Sequence, residues 1–282
     1  MQRTKNRKKK GVPSKPNNRH GAKSSNRHSA KPSDRRGAKA DPYTMIVGRH
    51  PVAEELGAAR SRALKLYVEE NDSADLARLA KLKNVDVEYC PGHRLHEMAG
   101  QGLVHQGAVL QCAPYVFAEL DAVTESESKL LVALDGIEDP RNLGAIARTA
   151  FAFGAGALIV PAKNSAGPTA SAHKTAAGAL SHIPMVRAEN LRRCLERLQK
   201  EGYWVVGAEA DGNERPAQVD FTVPTVLVIG GEDRGLRRLT REACDHVTAI
   251  PMTAQGFSLN ASTAASILLY EVSRQRHAKP FR

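Results

Sequence analysis

Six short apolar runs between residues 130 and 252 set the tightest limit on the fold. They are LLVALDGI (130–137), GALIVP (156–161), HIPMVRA (182–188), YWVVGAEA (203–210), TVLVIGGE (225–232) and VTAIPM (247–252). Stretches such as VLVI are β-branched and continuous rather than alternating, which marks strands covered on both faces, as in a parallel sheet. Between the runs, NLGAIARTAFAFGA (142–155), ASAHKTAAGALS (170–181), NLRRCLERLQKEG (190–202) and LRRLTREACD (236–245) read as helices, and a last helix follows SLNAS (258–262). The pattern predicts an α/β domain over 130–282, with Asn142 capping its first helix and Gly154 stopping it.

Residues 45–115 predict a second, smaller α/β unit. IVGRHPVAEEL (46–56) opens it as loop and helix, ALKLYVEE (63–70) reads as a strand, and ADLARLAKLKN (74–84) as an amphipathic helix. VDVEYC (85–90) and AVLQCAPYV (108–116) read as further strands. The polar, acidic FAELDAVTESES (117–128) reads as a linker. The expected organisation is a tail over 1–42, a small domain over 43–116, a linker over 117–129 and the larger domain over 130–282.

Charge is placed very unevenly. Of 41 Lys/Arg and 30 Asp/Glu, 14 and 2 fall within residues 1–42, a net of +12, and the remainder of the chain nets −1. The tail has almost no apolar residues, so it cannot bury enough surface to fold alone. It repeats NRHGAK (18), NRHSAK (26) and DRRGAK (34) with a period of eight, too short for a stacking repeat. Such an arm either binds a polyanion, RNA above all, or serves as a solubilising extension.

No run of 18 or more apolar residues occurs, so no membrane span is expected, and the first residues lack the apolar core of a signal peptide. Cys90, Cys112, Cys194 and Cys244 are widely separated and form no CxxC pair, so neither a zinc site nor a disulfide framework is expected, and a cytoplasmic location fits.

Three predicted strand ends are polar, and ligands of open parallel sheets bind outside strand carboxyl ends. In DPRNLGAIARTA (139–150), Arg148 lies one helical turn after Gly144. Helical side chains lean toward the N-terminus, so its stem would pass over the glycine and aim the guanidinium at the helix start; the alternative is an ordinary solvated arginine. In VIGGEDRGL (228–236), Gly230 and Gly231 allow close approach of a ligand or another backbone, or supply turn conformations, ahead of Glu232. The spacing is neither a Walker loop nor GxGxxG, which removes the usual nucleotide fingerprints, a dehydrogenase's included. In IPMTAQGFSLNASTAASILLYE (250–271), Ser258, Asn260 and Ser262 stand at a helix entrance, either as caps or as lining for a ligand.

In this order the three stretches closely resemble the motifs of the SpoU/TrmH class of SPOUT RNA 2′-O-ribose methyltransferases, over about residues 45–276. GRHPVAEEL and VHQGAVLQC (104–112) further resemble that class's L30e-like substrate-binding domain, and the subgroup most similar methylates a guanosine ribose in 23S rRNA. The resemblance implies a deep trefoil knot, a homodimer, and S-adenosylmethionine held by Gly230, Ile250 and Leu259. It implies a catalytic set of Asn142, Arg148, Glu232, Ser258 and Asn260 with no metal. Because a guanidinium is not deprotonated in proteins, the role expected of Arg148 is to stabilise a developing alkoxide or hold a phosphate. A tRNA ribose methyltransferase and a non-catalytic RNA-binding assembly factor on the same fold remain the alternatives.

Overall fold

The computed structural model describes residues 43–70, 73–232, 234–254 and 257–277, so the basic tail expected over 1–42 lies outside the described residues. The strands form two sheets. The first contains β1 (Thr44–Val47), β2 (Ala63–Val68), β3 (Asp86–Tyr89) and β4 (Ala108–Cys112) in the order β1-β4-β2-β3. In it β4 runs antiparallel to both β1 and β2, and β2 is parallel to β3.

The second sheet is parallel throughout. It comprises β5 (Leu130–Asp135), β6 (Ala157–Pro161), β7 (Met185–Ala188), β8 (Trp204–Ala208), β9 (Thr225–Gly230) and β10 (His246–Thr248) in the order β10-β8-β9-β5-β6-β7. Central β5 is buried along its whole length, as its unbroken apolar run requires. Leu130, Val132 and Leu134 pack on one side against Leu143, Ile146, Leu268 and Leu269, and Leu131 and Ala133 pack on the other with Leu191, Leu195 and Leu198.

Helices α1 (Arg49–Gly57), α2 (Ala74–Leu82) and α3 (Gly92–Ala99) serve the first sheet. A one-turn helix, α4 (Leu120–Thr124), occupies the segment read as a linker, and Ala118 just before it bridges to Val186 on edge strand β7. On the second sheet lie α5 (Pro140–Ala152), α6 (Ala170–Ala176), α7 (Leu191–Lys200), the single turn α8 (Arg238–Arg241) and α9 (Ala261–Arg276).

Two local expectations are corrected. Asn142 does not cap α5. The helix begins at Pro140, whose fixed φ suits the first helical position, and Asp139 caps it by accepting the Arg141 amide at 2.8 Å. This leaves the Asn142 side chain available elsewhere. Nor is the space beside Gly144 open to the Arg148 stem. A Cβ there would stand 2.4 Å from the Ala172 carbonyl oxygen and 2.9 Å from the Ala176 nitrogen, so the glycine lets α6 press against α5. Gly154 does stop the helix, with φ of 76°.

The two sheets share a contact built on α6. Lys174 donates to the Val104 carbonyl at 3.0 Å and to Gln106 Oε1 at 2.9 Å, and His182 lies 2.8 Å from Glu54. Buried Glu55 accepts the Arg62 amide at 2.8 Å, and the Arg62 guanidinium covers the Tyr115 ring at 4.9 Å. His173 is buried beside Tyr115, and neither ring nitrogen has a partner among the described residues. Burial pushes its imidazole from 6.5 down to about 4, the Arg62 guanidinium pushing the same way and Glu55 opposing.

Two outcomes follow for stability. Gly144→Ala should lose about 1–3 kcal/mol in denaturant titration, because backbone atoms, which cannot rotate away, occupy the new Cβ position. The second concerns pH. Folded His173 stays neutral while the unfolded chain takes a proton near 6.5, so its contribution is intact above that pH and is lost as pH falls toward 4. The loss should total about 3 kcal/mol at the lower limit, at roughly 1.4 kcal/mol per pH unit. His173→Leu should flatten the stability profile in that window; an identical slope in both proteins would refute the assignment.

Candidate active site at the strand carboxyl ends

All six strands of the second sheet are parallel, so the loops leaving β5, β8, β9 and β10 emerge on one edge. These loops pack backbone on backbone. A Cβ on Gly230 would stand 2.3 Å from the Gly235 carbonyl carbon, and one on Gly231 would stand 2.7 Å from the Gly136 carbonyl oxygen. Neither Gly230 nor Gly231 has positive φ, so close approach is what requires them, whereas Gly235 turns at φ 62°. The Gly235 amide donates to the Gly231 carbonyl at 2.9 Å, closing the loop after β9 into a tight return. Asp135, buried at the end of β5, holds this return by accepting the Arg237 amide at 2.7 Å. The Arg237 guanidinium lies 3.5 Å from its other oxygen, which has no hydrogen bond.

Asn260 caps α9: its Oδ1 accepts the amides of Ser262 at 2.9 Å and Thr263 at 3.3 Å. Its amide nitrogen works at the same time on the other side, donating to Asn142 Oδ1 at 3.0 Å and to Glu232 Oε1. Asn142 also donates to Glu232 Oε1, at 2.7 Å. Three side chains from three strand ends, 90 and 28 positions apart in sequence, thus meet at one carboxylate oxygen. Glu232 Oε2 has no partner among the described residues.

Glu232 stands between two cavities. The first, about 320 Å³, is lined by Gly230, Ile250, Leu259, Ser258 and Glu232, and by Ala208–Asp211 after β8. Its floor is apolar, through Ile229, Ile250, Leu259 and Ala264, and its rim carries Glu209 and Asp211. Glu209 is fixed by Arg241 at 2.5 Å. An apolar slot with strand-end backbone on one side and carboxylates on the other suits an adenosine carrying a positively charged side chain. The second cavity, about 650 Å³, lies against Asp135–Asp139, Asn142, Asn164, Glu232, Arg234 and Arg237.

Of the residues expected from sequence, Asn142, Glu232 and Asn260 are therefore joined directly, and Ser258, Gly230, Ile250 and Leu259 line the first cavity. Arg148 stands apart. It is exposed on α5, lines neither cavity and has no hydrogen-bond or ion-pair partner among the described residues. Sequence reading missed Glu209, which sat inside the run 203–210 read wholly as strand although β8 ends at Ala208, and Asp211, which follows that run directly. It missed Asp135 and Arg237 too, although an aspartate closing an apolar strand is a legible signal. Among the described residues no group of three metal-ligating side chains occurs.

The SpoU rRNA methylase family matches residues 129–270, and the RNA 2′-O ribose methyltransferase substrate-binding family matches residues 45–118. A Bacillus subtilis protein named as a TrmH-family tRNA/rRNA methyltransferase is 40% identical over 242 residues, which is 82% of this chain and 96% of that one. The SpoU methyltransferase AviRb from Streptomyces viridochromogenes superposes with a TM-score of 0.72 at 27% identity, covering 84% of this chain and 91% of that one. Its complex with AdoMet gives 0.70 at 29%, covering 83% and 91%. An AdoMet-bound rRNA methyltransferase from Sinorhizobium meliloti also gives 0.70, at 25% identity and 83% and 87% coverage. With both family domains in order and a near full-length relative, the chain belongs to the SpoU/TrmH family of RNA methyltransferases.

Proposed function

We propose that the protein methylates a ribose 2′-hydroxyl in structured RNA, a guanosine of 23S rRNA, from S-adenosylmethionine seated in the 320 Å³ cavity. The observation that carries this reading is the junction of Asn142, Asn260 and Glu232 at the rim of that cavity. The bound cofactor supplies a methyl group already activated on a positively charged sulfur. The chain's task is to align the acceptor and take its proton. Two amide donors on Oε1 hold Glu232 as an oriented carboxylate, which leaves Oε2 to accept the hydroxyl proton while the methyl carbon would exchange its bond to sulfur for one to the ribose oxygen. Gly230 contributes indirectly, because its missing side chain seats the Gly235–Leu236 backbone and so shapes the cavity wall.

The homodimer and the deep trefoil knot belong to the same proposal. Helices α5 and α9 lie side by side, joined by Thr149 and Ser266 at 3.1 Å and by the Phe153 and Tyr270 rings at 6.3 Å. Outward they present Arg148 with Phe151, Ile267 and Tyr270, an apolar face suited to a second copy. Arg148 is not a member of its own chain's Glu232 cluster; its charge, at the border of this apolar face, serves an RNA phosphate. The basic tail adds sequence-independent attraction to RNA, and the work is cytoplasmic.

Mapping 2′-O-methyl groups in RNA from cells with and without the gene tests the assignment: loss of one 23S guanosine methylation is expected, loss at a tRNA site would move the substrate, and loss of a base methylation would overturn it. Asn260→Ser separates capping from catalysis. Serine still caps α9, so stability should stay within about 0.5 kcal/mol, whereas the amide donor to Glu232 is gone and turnover should fall roughly 100-fold. Normal turnover would show that Asn260 is only a cap. Deleting residues 1–42 should flatten the slope of log RNA affinity against log salt by about three, if about four cations engage at roughly 0.7–0.9 each. An unchanged slope in a salt titration would remove the tail from RNA binding.

A further inference from the structure

The second cavity, about 650 Å³, has no assigned occupant. It meets the first along one stretch of chain: Gly231, Glu232, Arg234 and Gly235 line both. Asn142 faces only the second cavity and Ser258 only the first, with Glu232 on the boundary. A methyl donor seated in the first cavity would face an acceptor in the second across Glu232.

Of the four carboxylates on the second cavity's walls, Asp135 and Asp139 are engaged by Arg237 and Arg141, and the part that fits a nucleotide is the side holding Arg237, Arg234 and Asn164. The Arg237 backbone is held by its amide on buried Asp135, and its guanidinium lies beside the same carboxylate. The guanidinium also lies over Gly136, where a Cβ would stand 3.5 Å from its Nη2. At 3.5 Å the pairing with Asp135 leaves one carboxylate oxygen without a hydrogen bond, and the guanidinium keeps donors for an incoming anion. Arg234 is exposed with no partner among the described residues. Across the cavity Asn164 sits at φ 54°, and its loop is tied to the loop after β5 by the Ala166 amide on the Ile137 carbonyl at 2.7 Å. The exposed Asn164 side-chain amide lines the cavity and has no partner among the described residues, so its donor and acceptor can meet a base edge.

We propose that this cavity receives the single acceptor ribonucleotide of the RNA, with its phosphate on Arg237, its base edge at Asn164 and its ribose against Asn142 and Glu232. Asp135 is then a positioning residue that aims Arg237. The inference rests on the methyltransferase reading above and extends it to the acceptor's own seat.

The test uses the full-length protein, methyl-labelled S-adenosylmethionine and total rRNA from cells lacking the gene. RNA KM is read from methyl incorporation and cofactor Kd from titration calorimetry. Arg237→Met should raise RNA KM roughly 10-fold or more, the scale of one lost charge-assisted hydrogen bond, and Arg237→Lys should recover part of it. Asn164→Gly keeps the backbone conformation, removes only the amide and should raise RNA KM several-fold, so it guards against misfolding of the Arg237 variants. Cofactor Kd should stay within about two-fold throughout, as no contact with the first cavity is removed. Methyl transfer with RNA KM unchanged in both Arg237→Met and Asn164→Gly would overturn this inference alone, as would a cofactor Kd that shifts as much as KM. Absence of transfer to any RNA by the unaltered protein would overturn the methyltransferase reading and this inference with it.

Discussion

Contact between bare backbones holds the functional edge together. Gly230 and Gly231 let the loop after β9 fold back on itself and lean on the loop after β5 at distances that no side chain allows, while Gly136 and Gly235 supply the positive φ of the two turns. Strand β9 lies between β5 and β8, so this compact knuckle sits in the middle of the sheet edge, and the two cavities are the spaces left on either side of it. Most side chains discussed above owe their position to that knuckle: Glu232 is carried on it, Arg237 leaves it, and Asp135 anchors it from below.

Polar economy at this edge depends on groups that face two ways. The Asn260 carbonyl oxygen satisfies amides that a helix start always leaves unpaired, and its nitrogen satisfies Glu232. Asn142 likewise accepts from Asn260 while donating to Glu232. Two amide donors on one oxygen fix the orientation of the Glu232 carboxylate, and the Arg141 guanidinium adds only a longer-range attraction. That is consistent with Arg148 standing on the outer face of α5.

Much of this was legible in the sequence, and the failures have physical causes. Every apolar run of the second sheet became a strand because burial on both faces enforces the composition. β10 ended at Thr248 rather than Met252, since Ile250 and Met252 leave the sheet to line a cavity, and hydropathy cannot tell a core from a ligand slot. β1 went unread because four residues carry no period, and α3 because GHRLHEMA is largely polar. Strand order and the meeting of Asn142 with Glu232 are long-range facts; family resemblance suggested the grouping, but residue spacing alone did not contain it. Gly144 was read as leaving room for a side chain, when only three dimensions show that another helix already fills it.

The contact between the two sheets bears on how such proteins can be recombined. Glu55, Arg62 and Tyr115 come from the first part of the chain, while His173, Lys174 and His182 come from α6 and the turns just after it. A chimera joined in the acidic stretch near residue 120 would look sensible on a domain map, yet it would strand a desolvated imidazole and a desolvated carboxylate opposite unfamiliar neighbours. The unit that can be exchanged intact is the first sheet together with the surface of α6 on which it rests, so grafting a recognition domain from one relative to another means carrying residues 170–182 along with it.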